Sequence, residues 1–325
     1  MRSHSHYRKG GQTMKPKVYI DGKEGTTGLQ IYERLASRSD IDLLLIDEEK
    51  RKDPGERKKL INASDIVFLC LPDAAAIEAV GMIENAKTRV IDASTAHRIA
   101  SGWVYGFPEL GSEQTQAIIN GKRIANPGCH ATGFLSVAAP LVRLGILPDE
   151  YPLTVYSLTG YSGGGKKMIA QYEAGERDAE LDTPRIYGLS LHHKHLPEMQ
   201  KIAGLKYPPV FNPIVDDYYK GMATTIMLHN RLLCGNPAAE DIAAALTDFY
   251  AGRPLISVVP FGQNDAMLAA GKLAGTDRLE ITVCGNEEQT MVTARFDNLG
   301  KGASGAAVQN MNLMFGFEET AGLNL

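Results

Sequence analysis

Residues 17–38 read KVYIDGKEGTTGLQIYERLASR. A short apolar run, Val18 to Asp21, meets a glycine-spaced turn, Gly22, Gly25 and Gly28, and a helical period follows from Thr26 to Arg38. Glycine allows positive φ and close backbone approach, and the free N–H groups at a helix start attract a phosphate, so strand, turn and helix together point to dinucleotide binding. The spacing is GxxGxxG rather than GxGxxG, and a glycine turn that holds no ligand would look the same.

Outward from that stretch the same alternation continues. An apolar run spans Ile41 to Asp47, strands are expected at Asp65 to Leu71 and Arg89 to Ala93, and a helix at Ala74 to Glu84. Short β-rich runs alternating with helical periods predict a doubly wound, Rossmann-type α/β domain on a parallel sheet. Past Cys129 the pattern changes to well-separated strands: Val155 to Thr159, Thr224 to Leu228, Ile256 to Pro260, Leu279 to Cys284 and Thr290 to Asp297. The last two flank a hairpin connection at 285–289. The second domain is therefore expected to be α+β with a mixed or antiparallel sheet. A final helix, Ser304 to Phe315, is free to pack back on the first domain. The resulting division is a polar extension or tag over 1–13, a dinucleotide-binding domain from 14–128 and 299–325, and a catalytic and oligomerisation domain from 129–298.

The chain has 325 residues, 44% hydrophobic and 22% charged, enough for a substantial core. A net charge of -4 gives no global attraction to a polyanion, so small-molecule chemistry is favoured over nucleic acid or an anionic membrane. No apolar stretch reaches 18 residues, and the opening MRSHSHYRKGGQT lacks a signal-peptide core. Four scattered cysteines without CxxC spacing fit a reducing cytoplasm.

Asn126-Pro127-Gly128-Cys129 precedes an apolar helix running to about Leu144. A thiol at a helix N-terminus meets the positive end of the dipole and unpaired N–H groups, which favours the nucleophilic thiolate. Farther on, His192, His193, Lys194 and His195 lead into Leu196-Pro197-Glu198, at the start of another helix. Zinc ligation and a solvated loop are alternatives there, but the spacing matches no standard zinc set, so no metal is expected and a proton-handling histidine is preferred. Tyr161-Ser162-Gly163-Gly164-Gly165-Lys166 offers a loop able to wrap a phosphate or a nicotinamide. Ser94, Thr95 and Arg98 offer hydroxyls and a guanidinium for an anion. Asp47 stands where an acid would bind an adenosine ribose and favour NAD, while Lys50, Arg51 and Lys52 beside it suit a 2′-phosphate; these residues leave NAD against NADP open.

Taken together, GKEGTTG at 22–28, NPGCHATG at 126–133, HKHLPEM at 193–199 and NLGKGASGAAVQNMNLM at 298–314 resemble the short form of the N-acetyl-gamma-glutamyl-phosphate reductases, with aspartate-semialdehyde and glyceraldehyde-3-phosphate dehydrogenases as wider relatives. The resemblance runs from Met14 to the C-terminus. It implies NADP(H)-dependent reduction of an acyl phosphate through a cysteine thioester, a step of arginine biosynthesis, by a homodimer or homotetramer in the cytoplasm. It also implies roles. Cys129 is the nucleophile, His195 the acid and base, and Glu198 orients the histidines. Gly22, Gly25, Thr26, Thr27 and Gly28 hold the pyrophosphate, and Ser162, Gly163 and Asn310 make further cofactor contacts. Arg98, Asn126 and His193 meet the substrate. Aspartate-semialdehyde dehydrogenase activity and a non-catalytic NAD(P) sensor are the rival readings.

Overall fold

The computed structural model describes residues 8–9, 12–13 and 15–325. The extension expected over 1–13 falls largely outside the described residues. The chain divides into two compact units, one reaching to Asn126 and joined by Ser304–Leu323, the other Pro127–Ala303 with Asn324–Leu325.

The first unit is built on a six-stranded, wholly parallel sheet of β1 Lys17–Asp21, β2 Asp42–Leu44, β3 Ile66–Leu69, β4 Arg89–Asp92, β5 Val104–Tyr105 and β6 Arg123–Ala125, in the order β2-β1-β3-β4-β6-β5. Successive residues of each strand face opposite sides, and both sides are apolar. Val18, Ile20, Phe68, Ile91 and Ile124 form one core with Ile31 and Leu35 of helix α1 (Thr26–Ala36) and with Val308, Met311 and Met314 of the C-terminal helix Gly305–Phe315. Tyr19, Val67, Leu69 and Val90 form the other with Ile61 of α2 (Pro54–Ala63) and Ala76 and Ala79 of α3 (Asp73–Gly81). Each such large side chain contributes about 1.5–3 kcal/mol on burial, which fixes the register of these short strands. The second strand is shorter than the apolar run that announced it, ending at Leu44. Asp47 lies beyond it, where its side chain accepts from the Glu49 N–H at 3.1 Å and opens a single 3-10 turn. Helix α4 (Ser112–Asn120) completes the elements of this unit that precede the second.

In the second unit, helix α5 (Cys129–Arg143) is buried on every face from His130 to Leu141, the result of a sequence with no polar stripe. Gly133 lets α5 approach its sheet: a Cβ there would stand 2.4 Å from Thr224 Oγ1 and 2.8 Å from Phe296. That sheet is mixed and seven-stranded. Its strands are β7 Thr154–Gly160, β8 Arg185–Ile186, β9 Val210–Asp216, β10 Met222–His229, β11 Ile256–Val258, β12 Leu279–Gly285 and β13 Gln289–Phe296, ordered β8-β9-β7-β10-β13-β12-β11. Along the chain, α6 (Gly165–Tyr172) falls between β7 and β8, and α7 (Leu196–Ala203) between β8 and β9. The hairpin between β12 and β13 stands where the polar stretch 285–289 places it. Strand β9 has no counterpart in the sequence reading, because Pro213 at its centre argues against a ladder strand. The Pro213 carbonyl accepts from the Tyr187 N–H at 3.1 Å, so its ring nitrogen turns to the same flank, where only the two-residue β8 pairs, at 214–215. The missing donor therefore costs at most the reciprocal bond to Tyr187 at the sheet edge, and none to β7.

Candidate active site

The turn after β1 is shaped by two glycines for different reasons. Gly22 has φ +86°, and a Cβ on it would lie 2.4 Å from the Cys70 carbonyl oxygen. Gly28 sits inside α1 with its Cβ position 2.3 Å from the Gly22 oxygen, so α1 is pressed onto the turn. Gly25 is the N-cap, donates its N–H to the Gly22 oxygen at 3.0 Å and has room for a side chain. Thr26 and Thr27 follow as the first helical residues; no acidic residue stands in that turn, and no side chain caps it. The turn lies at the carboxyl end of β1, where the sheet order switches between β2 and β3, the place where open α/β sheets take their ligands.

Beside it opens a cavity of about 410 Å³, lined among others by Tyr32, Leu44, Ile46, Arg51, Lys52 and Arg57. Asp47 is not part of that lining; its carboxylate is engaged in its own turn. At the floor Arg57 meets Asp21 in a buried pair, with Nε 3.2 Å from both carboxylate oxygens and Nη2 3.0 Å from Oδ2. Burial still pushes the Asp21 carboxyl above its ordinary range, against the lowering influence of Arg57.

Elsewhere in the first unit the chain leaving β4 brings Arg98 to Asn126. Arg98 is buried, with Nε donating to the Asn126 carbonyl at 3.1 Å and Nη2 to the Ala93 carbonyl at 3.3 Å. Asn310, fully buried in the C-terminal helix, donates from Nδ2 to the Gly106 carbonyl at 2.9 Å and to Asn126 Oδ1 at 3.4 Å. Its Oδ1 has no hydrogen-bond partner among the described residues. A buried amide oxygen in that condition fits an external N–H donor such as a carboxamide. The glycine turn, the cavity and this acceptor are all suited to a nicotinamide dinucleotide.

In the second unit Cys129 is the first residue of α5, with Gly128 as the N-cap. Glu198, from α7, is also buried; its Oε2 accepts from the Gly128 N–H at 3.2 Å, and its Oε1 lies 4.0 Å from His195 Nε2. The carboxylate thus ties the residue before the thiol to the histidine's surroundings, at ion-pair distance from the imidazole rather than hydrogen-bond distance. The His195 N–H donates to His193 Nδ1 at 3.2 Å, and the two rings meet edge to face, 4.7 Å between centroids. Gly302 closes on the thiol from the turn before the last helix, its Cβ position 3.1 Å from Cys129 Cβ.

Two residues absent from the sequence reading join this group. His130 is buried, with Nε2 2.6 Å from the Tyr187 hydroxyl and Nδ1 2.8 Å from Ser157 Oγ, which in turn lies 2.7 Å from Thr224 Oγ1. Its ring centroid is 5.5 Å from His193 and 5.7 Å from His195. Burial, reinforced by His193 and Lys194, holds His130 neutral, well below the ordinary histidine pKa. The Tyr187 phenol is pushed up by burial and next by the charge of Cys129. Adjacency to Cys129 was a signal for His130; nothing local marks Tyr187. Ser162 and Gly163 stand on a 3-10 turn after β7, also in the second unit. The Ser162 hydroxyl accepts from Asn298 Nδ2 at 3.0 Å, and Asn298 Oδ1 accepts from the Gly221 N–H. Among the described residues no group of three or more His, Cys, Asp or Glu side chains is arranged to hold a metal ion, and no helix is long and apolar enough to cross a membrane.

Comparison with known proteins matches residues 17–118 to the semialdehyde dehydrogenase NAD-binding domain and residues 129–298 to the semialdehyde dehydrogenase dimerisation domain. The chain is 46% identical to N-acetyl-gamma-glutamyl-phosphate reductase 2 of Nostoc sp. over 95% of its own length and 99% of the relative's. It is 48% identical to the Pseudomonas putida reductase 2 (93% and 97%) and 47% identical to the Rhizobium meliloti reductase (93% and 99%). Among solved structures, aspartate semialdehyde dehydrogenase II of Vibrio cholerae superposes with TM-score 0.72 at 18% identity, covering 93% of this chain and 98% of that one. The Candida albicans aspartate semialdehyde dehydrogenase with NADP gives TM-score 0.66 at 16% identity, with the same coverage.

Proposed function

The chain belongs to the semialdehyde dehydrogenase family, in its N-acetyl-gamma-glutamyl-phosphate reductase branch, and from that premise we propose that it reduces N-acetyl-L-glutamyl 5-phosphate to the 5-semialdehyde and phosphate, through a thioester on Cys129 and with NADPH as reductant. The observation that carries the residue assignment is the placement of Cys129 as the first residue of α5, with the Glu198 carboxylate holding the Gly128 N–H on one side and standing 4.0 Å from His195 on the other.

The Cys129 thiolate attacks the acyl carbon, forming C–S, and the C–O bond to phosphate breaks with its electron pair leaving on phosphate. N–H groups at the start of α5 are placed to stabilise the intervening oxyanion. A reduced nicotinamide held by the first unit's glycine turn and Asn310 would supply the hydride that reduces the thioester. C–S cleavage then releases the aldehyde and the thiol, with the proton passing through His195, since an imidazole can serve as both acid and base. Buried Glu198 stabilises the imidazolium while it exists. Gly22, Gly25, Thr26, Thr27 and Gly28 hold the pyrophosphate, and Asn310 Oδ1 accepts from the carboxamide. Ser162 and Gly163 add cofactor contacts. Arg98, Asn126 and His193 hold the substrate's anionic groups.

NADP rather than NAD is supported by Arg51 and Lys52 in the cavity lining and by the engagement of Asp47 elsewhere, and agrees with the NADP in the Candida albicans relative. A homodimer or homotetramer is supported by the dimerisation-domain match, and a cytoplasmic setting by the dependence on a reduced thiol. The test is the reverse reaction, followed at the reduced-nicotinamide absorbance with N-acetylglutamate semialdehyde, phosphate and either NADP or NAD. Phosphate-dependent reduction of NADP is expected. Turnover with aspartate semialdehyde and none with the acetylglutamate aldehyde would overturn the substrate, and Cys129→Ser retaining activity within about tenfold would overturn the mechanism.

A further inference from the structure

The seven residues Asp92 to Arg98 leave the carboxyl end of β4 as a turn held with unusual completeness. Asp92 is fully buried, and its carboxylate binds the turn at three points: Oδ1 accepts from the Ser94 N–H at 2.9 Å, and Oδ2 from the Ser94 hydroxyl at 2.7 Å and from His97 Nδ1–H at 2.6 Å. A second carboxylate, Asp73, accepts from the Thr95 N–H at 2.9 Å and from the Thr95 hydroxyl. The His97 ring is fixed on its face as well as its edge, stacked on Trp103 with centroids 4.1 Å apart and planes 14° from parallel. Arg98 comes next in the chain. The Asn126 and Ala93 carbonyls it bonds belong to the residues that flank the same anchor, since Ala93 follows Asp92 directly and the Asn126 N–H donates to the Asp92 carbonyl at 2.7 Å.

A buried carboxylate with a charge-assisted bond to an imidazole is costly unless its geometry is kept, and here everything it keeps is the path of the backbone into Arg98. We propose that Asp92 and His97 are positioning residues for the Arg98 guanidinium, acting on the reaction only through it. The inference rests on the reading of Arg98 as a contact of the substrate's anionic group. Such a guanidinium is useful in one direction only, and a long side chain left to choose its rotamer spends binding free energy on ordering.

The experiment is a double-mutant cycle on the full chain in the aldehyde-oxidising direction, with KM for aldehyde and for phosphate, kcat and the NADPH Kd measured for Arg98→Lys, Asp92→Asn and the pair. Arg98→Lys should raise the KM of one anionic substrate at least tenfold. Asp92→Asn should raise the same KM at least fivefold, with kcat within threefold and the NADPH Kd within twofold of the parent, and the double variant should be no worse than the worse single by more than about twofold. Multiplying losses, or an unchanged KM in Asp92→Asn beside a raised one in Arg98→Lys, would overturn the positioning role. An unchanged KM in Arg98→Lys instead sinks the anion-contact reading, and the proposal with it. Should Asp92→Asn fail to fold, His97→Gln retains the Asp92–Ser94 bonds and must show the same non-additive KM effect. Trp103, the chain's one tryptophan, changes its emission in Asp92→Asn if the His97 ring has left its stack; a raised KM in that variant with the emission unaltered would also count against the mechanism.

Discussion

Replacing Arg57 by methionine keeps most of the apolar stem of the side chain and deletes the cation that faces Asp21. Both partners are buried, Arg57 at 8% and Asp21 at 2% relative exposure, and three contacts of 3.0–3.2 Å join them. Removing one member of a buried pair strands the other's charge, a loss of about 3–5 kcal/mol; Glu78, 3.7 Å from Arg57 and exposed, adds little. The pH dependence has a definite sign. Burial already raises the Asp21 pKa above its unfolded value, so its contribution to stability is best below that value and declines as the pH rises through the folded pKa. Without Arg57 the folded pKa climbs further. The variant should therefore lose about 3–5 kcal/mol at pH 7 and regain a good part at acid pH, once the pH has fallen below the raised folded pKa of Asp21. Urea unfolding followed through Trp103 reads the unit that contains the pair. A loss under about 1 kcal/mol at pH 7, or the same loss at both pH values, would refute the reasoning. Adding Asp21→Asn should restore much of the lost stability, since it removes the stranded charge.

Gly28→Ala should destabilise the first unit by about 1–3 kcal/mol and weaken NADPH binding, because its Cβ would fall 2.3 Å from the Gly22 oxygen. Gly25→Ala, whose nearest neighbour would be 3.4 Å away, should leave the melting temperature within a degree or two; equal losses in the two variants would contradict the different roles given to these glycines. His130, neutral when folded, binds its proton more readily in the unfolded chain. Its contribution is whole above about pH 6.5 and is lost as the pH falls below that, at about 1.4 kcal/mol per pH unit. Calorimetry of His130→Gln should show a flatter decline between pH 6.5 and 5 than the parent; parallel declines would mean that His130 is not the group responsible.

Much of the first unit was legible because a parallel sheet covered on both faces writes itself locally. Each strand needs a few consecutive apolar residues, each helix a 3.6-residue stripe, and the two glycines that cannot be anything else mark the turn between them. The place of Cys129 at a helix start was legible too, since Asn126-Pro127-Gly128 ahead of an apolar run marks where that helix begins. Strand β9 was hidden by Pro213, whose tolerance depends on which flank its nitrogen faces, a fact settled by the partner strand.

What only the tertiary structure decided are the pairings between residues far apart in sequence. Asp21 and Arg57 are 36 positions apart, His130 and Tyr187 57, and Gly128 and Glu198 70. Asp47, which the sequence offered for the ribose alongside Lys50, Arg51 and Lys52 for a 2′-phosphate, accepts from the backbone of its own turn, and Arg51 and Lys52 line the cavity. The physical reason is common to all of these. Periodicity and turn chemistry act over a few residues and fix the type of each element. The partner of a buried charge or imidazole is fixed by which faces are pressed together, and for these pairs those faces come from segments whose separation leaves no mark on the local sequence.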